Sequence, residues 1–162
     1  LDQVEKEKVA HSVGIGAIKY FDLMHHPTTD IVFNWDKIFV LEGNSAPYLQ
    51  YTFARTKSVL EKTKTRAIDP IKPDQELDEK EALLIRSFAR FSEVIVDASN
   101  NYSPNLLANY LFDLAQKFNS FYNEHRILGD DKENVRILLT AATGQLLENG
   151  LSILGIETPE KM

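Results

Sequence analysis

The sequence predicts an all-α protein, folded as an antiparallel bundle of helices. Apolar residues recur at spacings of three and four through most of the chain, which is the period of a helix. Prolines and glycines stand where helices should begin or end, and the alternating pattern of a strand is nearly absent. The chain has 162 residues, so residues 1–162 are expected to form one domain around one core.

The first half of the chain carries clear start and stop signals. Residues 4–24 have apolar positions near helical spacing, and Pro27 ends that helix because the residue before a proline avoids helical conformation. A brief helix over residues 36–41 should end at Gly43. Residues 45–64 are predicted to form a long helix with a proline in its first turn. Proline is well tolerated there, because the N–H that it lacks would have no partner within the helix.

Residues 67–79 are predicted to be an internal linker, because they contain two prolines and no periodicity. Asp78 and Glu81 have the spacing of a capping box, which places a helix start there. That helix should continue to about Ala98. Its apolar stripe consists of Leu84, Phe88, Phe91, Ile95 and Ala98.

The last two helices are also bounded by local signals. One begins at Pro104 and is broken by Gly129. The other covers about residues 132–154 and stops at Gly155, with Ile156 placed for the apolar contact of a Schellman cap. The inward positions of the first of these helices are Leu107, Leu111, Leu114, Phe118 and Phe121.

Composition excludes several classes of protein. The chain has no cysteine, so disulfides, thiolate metal sites and cysteine nucleophiles are excluded. No apolar run approaches the ~20 residues of a membrane helix, and we expect no membrane contact and a cytoplasmic location. The N-terminal residues lack an initiator Met and a signal peptide, which suggests a piece of a longer chain.

The net charge of −6 argues mildly against binding of nucleic acid, yet residues 53–66 carry five cations against one acid.

Helical geometry at about 100° per residue gives the 45–64 helix two faces. The natural core face consists of Leu49, Phe53, Thr56 and Leu60. The second face, roughly 130° away, consists of Tyr48, Tyr51, Arg55 and Lys62. Tyrosines beside cations are typical of sites that stack unpaired RNA bases and hold phosphates, but tyrosines also commonly rim a core. Periodicity leaves both interpretations open.

Several runs of sequence, in the same order, resemble the region that follows the catalytic core in arginyl-tRNA synthetases. The most specific are Pro-Tyr-Leu-Gln-Tyr at residues 47–51 and the ending Pro-Glu-Lys-Met at residues 159–162. Residues 107–122 resemble the DALR-type anticodon-binding module of that family. The similarity covers essentially the whole chain, and it implies an all-α fold of the class I synthetase anticodon-binding type.

The resemblance implies that the chain recognises the anticodon of arginine tRNA. Tyr48 and Tyr51 match the family's anticodon-contacting pair, and Tyr122 matches a third aromatic. Arg126 stands where some members have a tryptophan, and Met162 matches a terminal methionine near the anticodon. With Arg55 and Lys62 these residues form the expected tRNA site. Residues 1–26 would be the junction with a catalytic domain.

No catalytic residue, metal site or cofactor is expected in this chain. Class I synthetases activate their amino acid with two short sequence motifs, and neither motif is present in this sequence. The chain alone should therefore be inactive. The resemblance implies that ATP with Mg²⁺ acts in the complete enzyme. Two alternatives remain: a DALR-type module of a cysteinyl- or glycyl-tRNA synthetase, and a helical protein-interaction adaptor.

Overall fold

The structure, a computed structural model, describes residues 1–38, 40, 43–63 and 76–162. Within those residues it contains seven helices and no strand, which confirms the all-α prediction. In chain order they are α1 (Gln3–Leu23), α2 (Trp35–Ile38), α3 (Ala46–Glu61), α4 (Glu79–Ala89), α5 (Phe91–Asn100), α6 (Pro104–Glu124) and α7 (Glu133–Ile153). None of the helices in the described part is both long and apolar enough to cross a membrane.

Most helix ends lie where their local signals predict them. Asp78 caps α4, and its carboxylate accepts from the Glu81 amide at 3.0 Å while the Glu81 carboxylate accepts from the Asp78 amide at 3.0 Å. The end of α7 is a Schellman cap, in which the Ile156 amide donates to the Leu151 carbonyl at 2.9 Å. Gly155 supplies the required positive φ of 68°. These capping predictions are confirmed.

Two helices end earlier than predicted. The helix expected over residues 78–98 is divided at Arg90, whose amide bonds back only three residues to the Ser87 carbonyl at 3.1 Å. The helix expected to reach Gly129 ends at Glu124, because His125 is extended (φ −117°, ψ 132°). In both places the apolar pattern continues past the break, so the sequence pattern alone could not mark it.

The other two boundaries fall partly outside the described residues. Of the predicted linker over residues 67–79, residues 67–75 lie outside them, residues 76–78 are not helical and Glu79 begins α4. Residue 41, the predicted end of the short helix, also lies outside them. The helix predicted to reach residue 64 ends at Glu61, with Lys62 as its C-cap, slightly before its predicted end.

The core forms around α6, which contacts α1, α3, α4, α5 and α7. All five positions predicted to point inward on this helix, Leu107, Leu111, Leu114, Phe118 and Phe121, are buried. On α3, Leu49, Phe53 and Thr56 are fully buried as predicted. This packing fixes the rotation of α3 and α6 about their axes, and therefore which side chains the two helices present to solvent.

The buried face of α1 does not consist of apolar residues alone. Ile18, one of the apolar residues within positions 4–24, is 41% exposed, whereas Tyr20 is fully buried. The Tyr20 hydroxyl donates to the Ala108 carbonyl (2.9 Å) or the Asn44 side-chain oxygen (2.6 Å), and burial raises the pKa of this phenol. A tyrosine whose hydroxyl finds partners can occupy a core position that hydrophobicity alone assigns to isoleucine.

A buried ion pair joins α4 to α7. The Glu81 carboxylate is wholly buried and accepts from Arg136 Nε at 2.8 Å and from Lys132 Nζ at 3.2 Å. Close by, the Asp78 carboxylate is bonded to His125 Nε2 at 2.8 Å, just beyond the end of α6. This network fixes the last turn of α6.

Candidate nucleic-acid interface

The outward face of α3 is formed by the residues between its core positions. Tyr51 is 48% exposed, Arg55 is half-buried, and Lys62, the C-cap of the helix, is exposed. Helical spacing places all three well away from Leu49 and Phe53. Their exposures agree with the second face expected from the sequence.

The guanidinium of Arg55 lies between two tyrosine rings. Its Cζ is 4.9 Å from the ring centroid of Tyr51, one turn earlier on α3, and 4.9 Å from that of Tyr122 on α6. Both distances are within the range of cation–π attraction. The helices therefore bring together two aromatic rings and a cation from positions 51, 55 and 122.

Asn119 on α6 connects this group to the rest of α3. Its side-chain oxygen accepts from Arg55 Nη1 at 2.5 Å, and its Nδ2 donates to the Tyr48 hydroxyl and to the Thr52 hydroxyl, both at 2.9 Å. One amide thus bonds three side chains on the facing helix.

A surface cavity of about 320 Å³ opens beside these residues. Five of the seven residues predicted to contact RNA line it: Tyr51, Arg55, Lys62, Tyr122 and Met162. Lys161 and Glu160 complete the charged lining, which therefore contains three cations and one acid. The cavity is basic although the chain as a whole is acidic.

The chain after α7 forms one wall of the cavity and is attached at several points. The Gly155 carbonyl accepts from Lys19 Nζ at 2.5 Å, and the Glu157 carbonyl accepts from Gln50 Nε2 at 2.7 Å. Further on, the Glu160 carboxylate lies 3.6 Å from Lys57 Nζ. Residues 155–160 are thus held against α1 and α3, and Met162 follows directly at the cavity.

Tyr48 departs from the outward face predicted for it. Its ring packs edge-to-face on Phe112, with centroids 5.7 Å apart, and it is partly buried against the core. It is not among the residues that line the cavity. Helical spacing gives the direction of a side chain but not the neighbour that covers it, and here α6 covers this end of α3. A role for Tyr48 in binding stays a prediction.

Arg126 also lies away from the other predicted residues. Because α6 ends at Glu124, Arg126 is not one helical turn beyond Tyr122, as the longer helix would have placed it. Its Nε donates to the Leu128 carbonyl at 3.0 Å, within its own loop. Its guanidinium does not line the cavity.

Two residues that position the site were not singled out from the sequence. Asn119 and Gln50 are both polar residues flanked by apolar neighbours, at 118 and 121 for the first and at 49 and 53 for the second. A buried amide must find partners for its polar atoms, so such positions could have been identified as hydrogen-bonding centres. Their partners lie 38 to 107 residues away along the chain, so the sequence could not identify those partners.

The structure also brings a His and two carboxylates together, at Asp78, Glu81 and His125. The Glu81 oxygens already accept from Arg136 and Lys132, so cations of the protein neutralise the group. Burial works to raise the pKa of Asp78, but hydrogen bonds from backbone amides and the neighbouring His125 outweigh it, and this pKa lies below its usual value. The cluster is a structural ion-pair network.

An all-helical bundle with an open cavity of tyrosines and cations has the features of a helical RNA-binding domain. Comparison with known proteins agrees: the family model described as "DALR anticodon binding domain" matches residues 49–162. The chain belongs to the DALR anticodon-binding domain family.

Its relatives and structural neighbours carry a common name. An "Arginine--tRNA ligase" of Photobacterium profundum is 40% identical over 100% of this chain, and one of Alkaliphilus metalliredigens is 42% identical over 97%. The arginyl-tRNA synthetase structure of Thermus thermophilus superposes with a TM-score of 0.88, at 30% identity over 97% of this chain, and that of Plasmodium falciparum with a TM-score of 0.85, at 29% identity over 96%. The chain spans 28% of the length of each of these four proteins.

Proposed function

We propose that this chain recognises the anticodon of arginine tRNA on behalf of a longer arginyl-tRNA synthetase. The observation that carries the proposal is the position of Arg55 between the rings of Tyr51 and Tyr122, at the mouth of a basic cavity. The family of the chain and the shared name of its relatives support the choice of tRNA.

The cavity has the groups that an unstacked anticodon loop requires. The exposed ring of Tyr51 offers a face for a base, and base–aromatic stacking contributes ~1–3 kcal/mol per base. Arg55, Lys62 and Lys161 offer positive charge to the phosphates that link the bases. Among the described residues, Lys62 has no ion pair, so its charge is available to an incoming phosphate.

The reaction itself we assign to a part of the longer protein that this chain does not include. We propose that ATP with Mg²⁺ and arginine bind there, that residues 1–162 act as one anticodon-binding domain with residues 1–26 at the junction, and that the protein works in the cytoplasm. Exposed apolar residues on α1, such as Val4 at 73% and Ile15 at 43%, are available to contact such a domain.

A binding titration tests the proposal directly. Arginine tRNA should bind this chain more tightly than the same tRNA with substituted anticodon bases, and affinity should fall steeply between about 50 and 200 mM salt. Cysteine and glycine tRNAs serve as matched competitors, because they test the DALR-type modules of the other synthetases. Equal binding of all these tRNAs would reject anticodon recognition. Salt-independent binding to a protein, with no tRNA binding, would favour the helical adaptor.

A second measurement tests where the chemistry takes place. Incubated with ATP, arginine and tRNA, this chain should make no arginyl-tRNA and exchange no pyrophosphate. Turnover by the chain, purified free of host enzyme, would contradict the assignment of the reaction to another part of the protein.

A further inference from the structure

The amide of Asn119 has a fixed orientation, set by the chemistry of its partners. A guanidinium has only donors, so the group of Asn119 that faces Arg55 must be its oxygen. The nitrogen then faces the hydroxyls of Tyr48 and Thr52, which must accept. The Thr52 hydroxyl in turn donates to the Tyr48 carbonyl at 2.8 Å, so its lone pairs are free to accept from Asn119 and the arrangement is self-consistent.

This network restrains a side chain that is otherwise highly mobile. An arginine loses conformational entropy when it is immobilised, because rotation about several bonds of its side chain is restricted. Arg55 is restrained before any ligand arrives, by two aromatic rings and by the Asn119 oxygen. Only one of its five N–H groups is needed for Asn119, and the others remain for a phosphate or a base edge.

We propose that Asn119 is a positioning residue for RNA recognition, which holds the Arg55 guanidinium between Tyr51 and Tyr122 in the orientation that contacts the anticodon loop. This inference rests on the proposed function and extends it to a residue that does not line the cavity. Asn119 acts through Arg55, so its effect on binding exists only when Arg55 is present.

A double-mutant cycle tests this dependence. Asn119→Ala should weaken binding of arginine tRNA about fivefold, the size of one lost hydrogen bond. In an Arg55→Ala background the same substitution should change affinity by less than about twofold, because the group it positions is gone. Paired with Lys62→Ala, which belongs to the same cavity but not to this network, the effects should be additive.

Controls separate positioning from a general loss of structure. Asn123→Ala removes the same amide from an exposed site one turn further along α6 and should leave affinity unchanged. The melting temperature of each variant is measured beside its affinity, since a merely structural role would lower both, with or without Arg55. Equal loss of affinity in the two backgrounds, or no loss from Asn119→Ala, overturns the proposal.

The outcome for the other variants shows which proposal has failed. If Asn119→Ala has no effect while Tyr51→Ala and Arg55→Ala still weaken tRNA binding, only the role of Asn119 is rejected. If none of the three variants changes tRNA binding and all remain folded, the proposed function fails, and the role of Asn119 fails with it.

Discussion

The side chain of Gln50 donates to the backbone carbonyl of Glu157 at 2.7 Å, and this bond joins the first half of α3 to the segment that forms one wall of the cavity. Gln50 is fully buried, and its Nε2 also donates to the Ser12 carbonyl of α1 at 3.3 Å. Gly16 lies against this junction: a β-carbon there would be 2.9 Å from Gln50 Nε2 and 3.1 Å from Ile156 Cγ2. Three parts of the chain thus meet where Gly16 leaves room.

Substitutions at the two glycines of α1 should have opposite effects. Gly14→Ala meets no atom within 4 Å and should stabilise the protein by about 0.5–1 kcal/mol through helix propensity. Gly16→Ala should destabilise it by about 1–2 kcal/mol, because the new methyl group overpacks the junction. Urea unfolding of the two variants measures both effects. A stabilising Gly16→Ala would show that the junction is loosely packed.

Alanine substitutions of Tyr51 and Tyr48 should affect different properties, tRNA binding in the first case and stability in the second. Tyr51→Ala should weaken arginine tRNA binding by ~1–3 kcal/mol and change the free energy of unfolding by less than about 1 kcal/mol, since about half of the side chain is exposed. Tyr48→Ala should lower that free energy by about 2 kcal/mol or more, because it removes the contact with Phe112.

The tRNA used in this comparison provides its control. A tRNA with substituted anticodon bases should lose little further affinity from Tyr51→Ala, because its bases do not stack properly on Tyr51 even in the wild-type protein. Tyr102→Ala removes a tyrosine that is 87% exposed and does not line this cavity, and it should leave tRNA affinity unchanged. A folded Tyr51→Ala variant with full affinity for arginine tRNA would exclude Tyr51 from the site.

The buried pair of Glu81 and Arg136 should be sensitive to the loss of one partner. Arg136→Ala leaves a wholly buried carboxylate that keeps only part of its charge compensation, from Lys132 and the Asp78 amide, and should lower the free energy of unfolding by about 3–5 kcal/mol. Arg86→Ala, at an exposed position on α4, is the matched control and should cost less than about 0.5 kcal/mol. Similar values for the two variants would mean that the pair contributes nothing specific.

Asp78 should make stability depend on pH in the acid range. Its pKa is lower in the folded protein, so its carboxylate stabilises the fold above the unfolded value of about 3.9, and this contribution is lost as pH falls through the lower folded pKa. Asp78→Asn keeps a good N-cap and removes the charge. The wild type should be the more stable at pH 7, and the difference should shrink below about pH 4 in urea unfolding. A difference that stays constant from pH 7 to pH 3 would assign the effect to the cap.

Tyr102 occupies a position that favours glycine. It has a φ of 51° at the end of α5, where the Ser103 amide donates to the Ala98 carbonyl at 2.9 Å as in a Schellman cap. Tyr102→Gly should raise the free energy of unfolding by about 0.5–1 kcal/mol, because relief of the left-handed conformation exceeds the entropy that glycine adds to the unfolded chain. Tyr102→Ala keeps the β-carbon and should give no such gain, which a thermal melt of both variants would show.

The sequence by itself determined the helices and most of their ends. The signals at Asp78, Pro104 and Gly155 act within a few residues, since caps and turns depend on local backbone geometry, and each of the three marks a helix end in the structure. Local spacing also separated the core face of α3 from the face with Tyr51 and Arg55. The family followed from short runs of sequence that the comparisons support.

Tertiary structure alone decided which side chains meet. Spacing gave Tyr48 and Tyr51 nearly the same direction, yet α6 covers the first and leaves the second open. The contact of Asn119 with Arg55 spans 64 residues and that of Gln50 with Glu157 spans 107. Helical periodicity orients a residue relative to its own helix, whereas its neighbour depends on how all the helices pack around one core. The cavity forms only after that packing, from α3, the last turn of α6 and the segment after α7.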